Sequence, residues 1–332
     1  MNQIVYCQTM RDFINSCLVT KDIGQIVKQS MYNAGYPHVM DNWVTSWEKS
    51  LPEIALALKD SGIDDDIDVA VEYRLKHSME RLDFLIYGLD EYNHKNMVIV
   101  ELKQWSQVQK VDSLNKVHTM IAKGVFEDHF HPSYQAYNYA GQLKSFNEYV
   151  QNEKVGIEAC SYCHNMDQGF KSVMDDISLF PFIPNSPAFL NGEGEQLKNF
   201  VKKYVSKKCH EILFEITNAK TVPSDDFAKL IRDALSGNQM YTLDDRQSYA
   251  LSTIVDTVRD AIYYDQKKTI IIKGGAGTGK SIIAVNALGQ LNSPKKKSER
   301  ITTFYVTVNA APKKTMFNGL KYGKAFKTDD LK

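Results

Sequence analysis

Residues 68–105 of this 332-residue chain, DVAVEYRLKHSMERLDFLIYGLDEYNHKNMVIVELKQW, embed ionisable side chains in otherwise apolar β segments. Val/Ile/Leu-rich runs bounded by polar turns read as strands, here at 69–75, 82–88 and 97–103, with loops at 77–81 and 89–96. If consecutive strands pair antiparallel, each turn centre sets the register. A turn centred near Tyr92 puts Asp83 opposite Glu101, and one between His77 and Ser78 puts Glu72 opposite Asp83. Side chains alternate with period two, so Lys103 shares the face of Glu101. Three carboxylates and a lysine thus gather at one end of a hydrophobic sheet.

Carboxylates facing one another repel, so the arrangement is unfavourable unless something positive sits among them. A hard divalent cation, Mg²⁺ or Mn²⁺, takes such oxygen ligands and activates water for attack on a phosphoryl group. Lys103 would orient that water or stabilise the extra negative charge of the transition state. The bland alternative makes Glu101 and Lys103 a solvated edge pair. Strand context and register agree with each other and favour the metal site.

Asp83 followed on the next strand by Glu101-Leu102-Lys103 resembles the PD-(D/E)XK nuclease signature. Within residues 131–150, HPSYQAYNYAGQLKSFNEYV, Gln135 and Tyr139 lie on one helical face at (i, i+4) spacing and resemble the QxxxY element of RecB-like nucleases. The resemblance implies Asp83, Glu101 and the Leu102 carbonyl as metal ligands and Lys103 as the catalytic lysine. It departs from the pattern before the acid, where Arg81-Leu82 replaces the proline.

A second motif lies near the other end. Residues 269–274, TIIIKG, read as a buried strand running into Gly274-Gly275-Ala276-Gly277-Thr278-Gly279-Lys280-Ser281 and then an apolar helix. This is a Walker A loop in its strand–loop–helix setting. Its glycines let backbone N–H groups turn toward a phosphate at a helix N-terminus. Lys280 would reach the β/γ-phosphates of ATP and Ser281 would ligate Mg²⁺. Upstream, residues 241–250 resemble the Q motif of superfamily 1 helicases, implying that Gln247 reads adenine. Downstream, 301–308 reads as the next strand, and Asn309-Ala310-Ala311-Pro312 resembles motif Ia.

Over most of its length the chain resembles bacterial nuclease–helicases with a Schlafen-group-3-like helicase domain. The pattern is carried by Glu72-Tyr73, Asp83-Phe84, Glu101-Leu102-Lys103-Gln104-Trp105 and the phosphate loop, and it adds Glu72 to the expected metal ligands. Only 52 residues follow Lys280, too few for a Walker B strand and a second lobe. The expectation is a motor truncated before Walker B. It would bind ATP weakly without a C-terminal helicase fragment in trans, and ATPase or helicase activity is not expected from this chain alone.

The anticipated fold is α/β: a restriction-endonuclease-like mixed sheet flanked by helices (1–215), a helical linker (216–245) and the first part of a P-loop domain (246–332). Net charge is zero, but unevenly spread. From Arg246 onward 16 of the 40 basic residues stand against 6 of the 40 acidic ones, leaving 24 against 34 before it. The basic end suits phosphates, whereas the acidic front needs local cations and metal to hold nucleic acid. Five cysteines without framework spacing fit a reducing cytosol. No apolar run has the length of a membrane span, and a cytoplasmic location is expected. Helices are predicted at 46–61, 196–209 and 225–235. Glu48 and Glu53 read as a solvated face rather than added ligands, and the loop carrying His129 and His131 as one that orders against substrate or helix rather than a metal site. Cys160-x-x-Cys163-His164 reads as buried cysteines rather than a zinc site. The resulting expectation is a metal-dependent nuclease acting on nucleic acid, DNA favoured, with genome defence as its setting. The alternative is a non-cleaving binding or regulatory fragment of a split nuclease–helicase.

Overall fold

A run of apolar residues buried on both faces can be satisfied only in the middle of a covered sheet. Residues 97–100 form such a run, and the computed structural model, which describes residues 2–76, 81–111, 115–122, 124–222, 245–273, 279–292 and 303, places it there. The chain divides into two compact units, Met1–Val222 and Pro223–Lys332.

The strands of the first unit are β1 (Tyr6–Thr9), β2 (Asp68–Arg74), β3 (Arg81–Leu89), β4 (Lys95–Lys103), β5 (Val108–Lys110), β6 (Lys116–Ala122), β7 (Val125–Phe130), β8 (Gly156–Cys163) and β9 (Ala188–Leu190). Six of them form a mixed sheet of order β1-β2-β3-β4-β8-β9, antiparallel from β1 to β4 and parallel from β4 to β9. Strands β5-β6-β7 form a separate antiparallel meander. The helices are α1 (Met10–Ile14), α2 (Ile23–Asn33), α3 (Asp41–Leu58), α4 (Pro132–Phe146), α5 (Glu148–Asn152), α6 (Lys171–Met174), α7 (Gly194–Tyr204) and α8 (Glu211–Asn218).

Two core layers sandwich the sheet. Val69, Phe84, Ile86, Val98 and Val100 pack with apolar residues of α2, α3 and α7. Leu85, Tyr87, Met97, Ile99 and Ile157 pack with those of α4, α5 and α8. A third cluster, including Trp105, Val117, Phe180 and Leu190, closes the end of the sheet beneath the meander. No helix among the described residues is long and apolar enough to cross a membrane.

The three strands anticipated between 69 and 103 form with the expected register. Val71 faces Phe84 and Tyr73 faces Leu82, while Phe84 faces Val100. Other expectations shift. α3 begins at Asp41 rather than 46 and ends at Leu58, where Lys59 turns to an extended conformation. α7 occupies Gly194–Tyr204 rather than 196–209. Strand β1 was not visible as a periodic pattern because only Tyr6 of its four residues is buried.

In the second unit, helices Asp245–Tyr263 and Lys280–Asn292 pack through Leu251, Val255, Ile283, Ala287 and Leu291. The strand expected at 269–274 is not formed over the described residues 269–273, and Ile271 is exposed. A strand is stabilised through its pairing, and the expected neighbour at 301–308 lies outside the described residues apart from Thr303. The expected helix at 225–235 and most of the phosphate loop also lie outside them.

Gly88 marks a close crossing of β3 by the segment after α7. Leu89 N–H donates to the Lys207 carbonyl at 2.8 Å, and a Cβ on Gly88 would collide with that same oxygen. Gly88→Ala is expected to destabilise the first unit by about 1–3 kcal/mol, the usual cost of overpacking a rigid contact. Urea unfolding checks this, and an unchanged midpoint would mean that residues 205–207 give way freely.

Candidate active site

The alternation of β2 and β3 breaks at the acidic pair. Val71 and Phe84 belong to one core layer, yet Tyr73 and Leu82, two residues along, belong to the other. Glu72 sits at the break with φ +58°, a left-handed conformation uncommon for a non-glycine residue and costing on the order of 1–3 kcal/mol. Two carboxylates directly opposite are thereby turned to different partners. The Trp47 indole N–H of α3 donates to Glu72 Oε1 at 2.7 Å, and Arg81 Nε lies 2.8 Å from Glu72 Oε2. Asp83 Oδ2 accepts from the Leu102 backbone N–H at 2.9 Å. Lys103 Nζ reaches Glu101 Oε1 at 2.6 Å. The other oxygen of Glu101 is buried with no hydrogen-bond partner.

Burial is the largest influence on each acid. It pushes the Glu101 carboxyl up to about 8, helped by Asp83 and opposed by Lys103. It pushes Glu72 up to about 7 against the pull of Arg81. Asp83 is raised as well, with Lys103 and the Leu102 N–H working the other way. For Lys103, burial disfavours the ammonium, but Glu101 and Asp83 outweigh it and hold the charge above its ordinary range. Desolvation, more than repulsion between the acids, thus sets these shifts, and Lys103 offsets it only in part.

A pocket of about 370 Å³ opens over this centre. It is lined by Trp43, Ser46, Trp47, Ser50 and Leu51 of α3, by Glu72, Arg81 and Asp83, by Leu102–Trp105 and by Ile121 of the meander. Glu48 and Glu53 do not line it; Glu48 is exposed and Glu53 half-buried. Among the described residues, no group of three or more His, Cys, Asp or Glu side chains is arranged to hold a metal ion. The cage of three carboxylates expected from register is thus reduced, because both oxygens of Glu72 are taken by protein donors. Asp83 and the unpartnered oxygen of Glu101 still offer hard oxygen donors. Mg²⁺ needs only one or two carboxylates with waters completing its shell, so these residues fit such an ion.

The helix carrying Gln135 and Tyr139 is α4, but neither residue lines the pocket. Tyr139 is buried with Ala136, Ala140 and Leu143 against the opposite face of the sheet. His131 caps α4: its Nδ1 accepts from the Ser133 N–H at 3.1 Å and its Nε2 meets the Met174 carbonyl at 3.1 Å. Burial lowers its pKa to about 3, so it is a neutral structural residue. Cys160 and Cys163 pack in different core clusters, and His164 Nε2 meets Ser50 Oγ at 3.2 Å. Among site features not anticipated from sequence, Arg81, Trp43 and Trp47 stand out. The signal present was the concentration of tryptophan: all three in the chain, Trp43, Trp47 and Trp105, line this pocket.

In the second unit, Gly279 adopts φ +80°, and a Cβ there would meet the Gln247 side-chain amide. Gln247 therefore stands beside the end of the phosphate loop, with Lys280 opening the following helix. Ser281 lies in that helix, whereas Gly274, Gly275, Gly277 and Thr278 lie outside the described residues. Residues 267–331 match the family model of the Schlafen group 3 DNA/RNA helicase domain. No curated protein and no solved structure is detectably similar to the chain.

The raised carboxyls make stability depend on pH. Without metal, folding shifts Glu101 and Glu72 from 4.5 up to about 8 and about 7. The stabilisation from that extra proton binding is fully present below the unfolded value and is lost as pH rises through the folded ones. In EDTA, Tm should fall as pH rises from about 4.5 to about 8, and Glu101→Gln should flatten that fall. Melting curves test this, and an unaltered slope in the variant would show that Glu101 ionises normally.

Proposed function

We propose that the first unit is a metal-dependent nuclease that hydrolyses phosphodiester bonds of nucleic acid, with DNA as the favoured substrate. The observation that carries this reading is the strand-end cluster. Asp83 acts electrostatically on Glu101, Lys103 is held at 2.6 Å from Glu101, a buried Glu101 oxygen lacks a partner, and Asp83, Leu102 and Lys103 line an open pocket. The helicase-domain match over residues 267–331 supports nucleic acid as the target.

Asp83, Glu101 and the Leu102 carbonyl would hold Mg²⁺ or Mn²⁺. Such an ion, when bound, polarises a phosphoryl oxygen and acidifies water. Lys103 keeps its proton and places a positive charge where negative charge develops on the phosphate. Trp105, whose ring centroid is 5.8 Å from Lys103 Nζ, packs beside that ammonium. Leu102 N–H fixes one Asp83 oxygen and leaves the other for the ion. In the second unit, Gly279, Lys280 and Ser281, with Gln247 beside them, would take the phosphates of ATP.

A second reading, a non-cleaving nucleic-acid-binding module, is favoured by one observation. Lys103 closes on Glu101 and Glu72 is fully engaged, so no three-acid cage stands ready. Labelled DNA and RNA incubated with Mg²⁺ or Mn²⁺ separate the two. Asp83→Ala and Lys103→Ala are each expected to lower cleavage by about 100-fold or more. Equal cutting by wild type and both variants would reject the assignment, and binding without any wild-type cutting would favour the second reading.

A further inference from the structure

The basic side chain that stands where the sequence motif lacks its proline has an unusual setting. Arg81 opens β3 two residues before Asp83 and lines the same pocket. Its Nε is fixed by Glu72 Oε2 at 2.8 Å, and Glu72 is fixed in turn by the Trp47 indole at 2.7 Å. Its Cζ lies over the Trp43 ring, 4.1 Å from the centroid, with the Tyr36 ring at 5.8 Å. The guanidinium is therefore held in plane by stacking and along its edge by a carboxylate. The side chain keeps about 21% of its surface exposed and lines the pocket.

We propose that Arg81 is a phosphate-binding residue for a nucleic-acid strand entering this pocket, and that Glu72 is its positioning residue rather than a metal ligand. This deepens the nuclease reading and rests on the same pocket receiving nucleic acid. A planar guanidinium presented to the pocket matches two phosphate oxygens, which an ammonium cannot do. Pre-orientation by Trp43 and Glu72 spares the side-chain ordering that binding would otherwise require. It also accounts for the strained backbone at Glu72. Left-handed φ turns that carboxylate toward Trp47 and Arg81, away from a third place beside Asp83 and Glu101. A substrate phosphate would bring negative charge to a site whose floor is acidic, and Arg81 with Lys103 supplies the local cations.

Binding can be measured in EDTA, where no cleavage is required, so its result is separate from that of the nuclease assay. The full chain is titrated with a single-stranded DNA oligonucleotide, its duplex, and an RNA of the same sequence. Occupancy is read from tryptophan emission, since all three tryptophans line the pocket. Arg81→Gln is expected to weaken binding by about tenfold across sequences and to lower the salt slope by about one. Glu72→Gln should weaken binding in the same sense, and the double variant should be no weaker than Arg81→Gln alone. Tighter binding by Glu72→Gln would overturn its positioning role, because that is the effect of removing a merely repulsive carboxylate. Unchanged affinity and slope for Arg81→Gln, or no wild-type binding to any of the three probes, would overturn the proposal. Losing one partner of a buried ion pair can unfold a protein. Arg81→Lys, which keeps charge without the fork, should then bind several-fold more weakly than wild type, and wild-type affinity in it would count against the proposal.

Discussion

Most of what is distinctive in the first unit follows from like charges being buried at the end of one strand pair. Asp83 and Glu101 arise on neighbouring strands whose register is held by apolar pairs on both core layers. A one-residue slip would transfer every one of those side chains to the wrong face, so the hydrophobic sheet enforces an acidic contact that is itself repulsive. The structure answers locally: Lys103 closes on Glu101, Leu102 N–H takes Asp83, and the backbone at Glu72 swings into the left-handed region to send its carboxylate elsewhere. Even so, all three acids are held above their ordinary values. The repulsion is reduced rather than removed.

The sheet was legible because its strands are long, apolar and separated by clear turns. Register followed from turn centres, and with it the meeting of Asp83, Glu101 and Lys103. What could not be read was the partner of each oxygen. Antiparallel geometry puts Glu72 opposite Asp83, but a single positive φ decides whether its carboxylate faces Asp83 or Arg81, and no periodicity encodes that. The helical run expected at 131–150 is divided between α4 and α5, and the (i, i+4) spacing of Gln135 and Tyr139 does not encode that Tyr139 is buried on the far side of the sheet. Short elements failed for another reason. Strand β1 and the meander's β7 bury too few side chains to show alternation, with only Tyr6 buried in the first and no residue in the second.

Aromatic residues give the site its walls. α3 supplies Trp43 and Trp47 one turn apart at (i, i+4), so both project from one helical face. Trp47 is committed to Glu72, while Trp43 carries Arg81. Across the pocket Trp105 follows directly on the acidic strand and packs beside Lys103 and His129. Each tryptophan thus touches a charged or polar group of the site. Spread through a core they would serve packing alone, but together in one pocket they fix the orientation of its cations.

The Lys103–Glu101 pair can be weighed as a structural feature and does not balance as one. Removing an ammonium and a carboxylate from water costs several kcal/mol for each ion, and a buried pair is often no better than apolar residues of the same volume. At this position the surrounding strand is already Val/Ile/Leu, so an apolar pair would extend the existing core without leaving a Glu101 oxygen unpartnered. A third charge, Asp83, stands within range, opposing the Glu101 carboxylate while favouring the Lys103 ammonium. Fold specificity does not require it either, since the register is set by the apolar pairs of β2, β3 and β4. The cluster therefore weakens the free protein relative to the obvious hydrophobic alternative. A ligand that brings positive charge to the acids reverses that balance, which ties the stability of this strand end to the chemistry proposed for it.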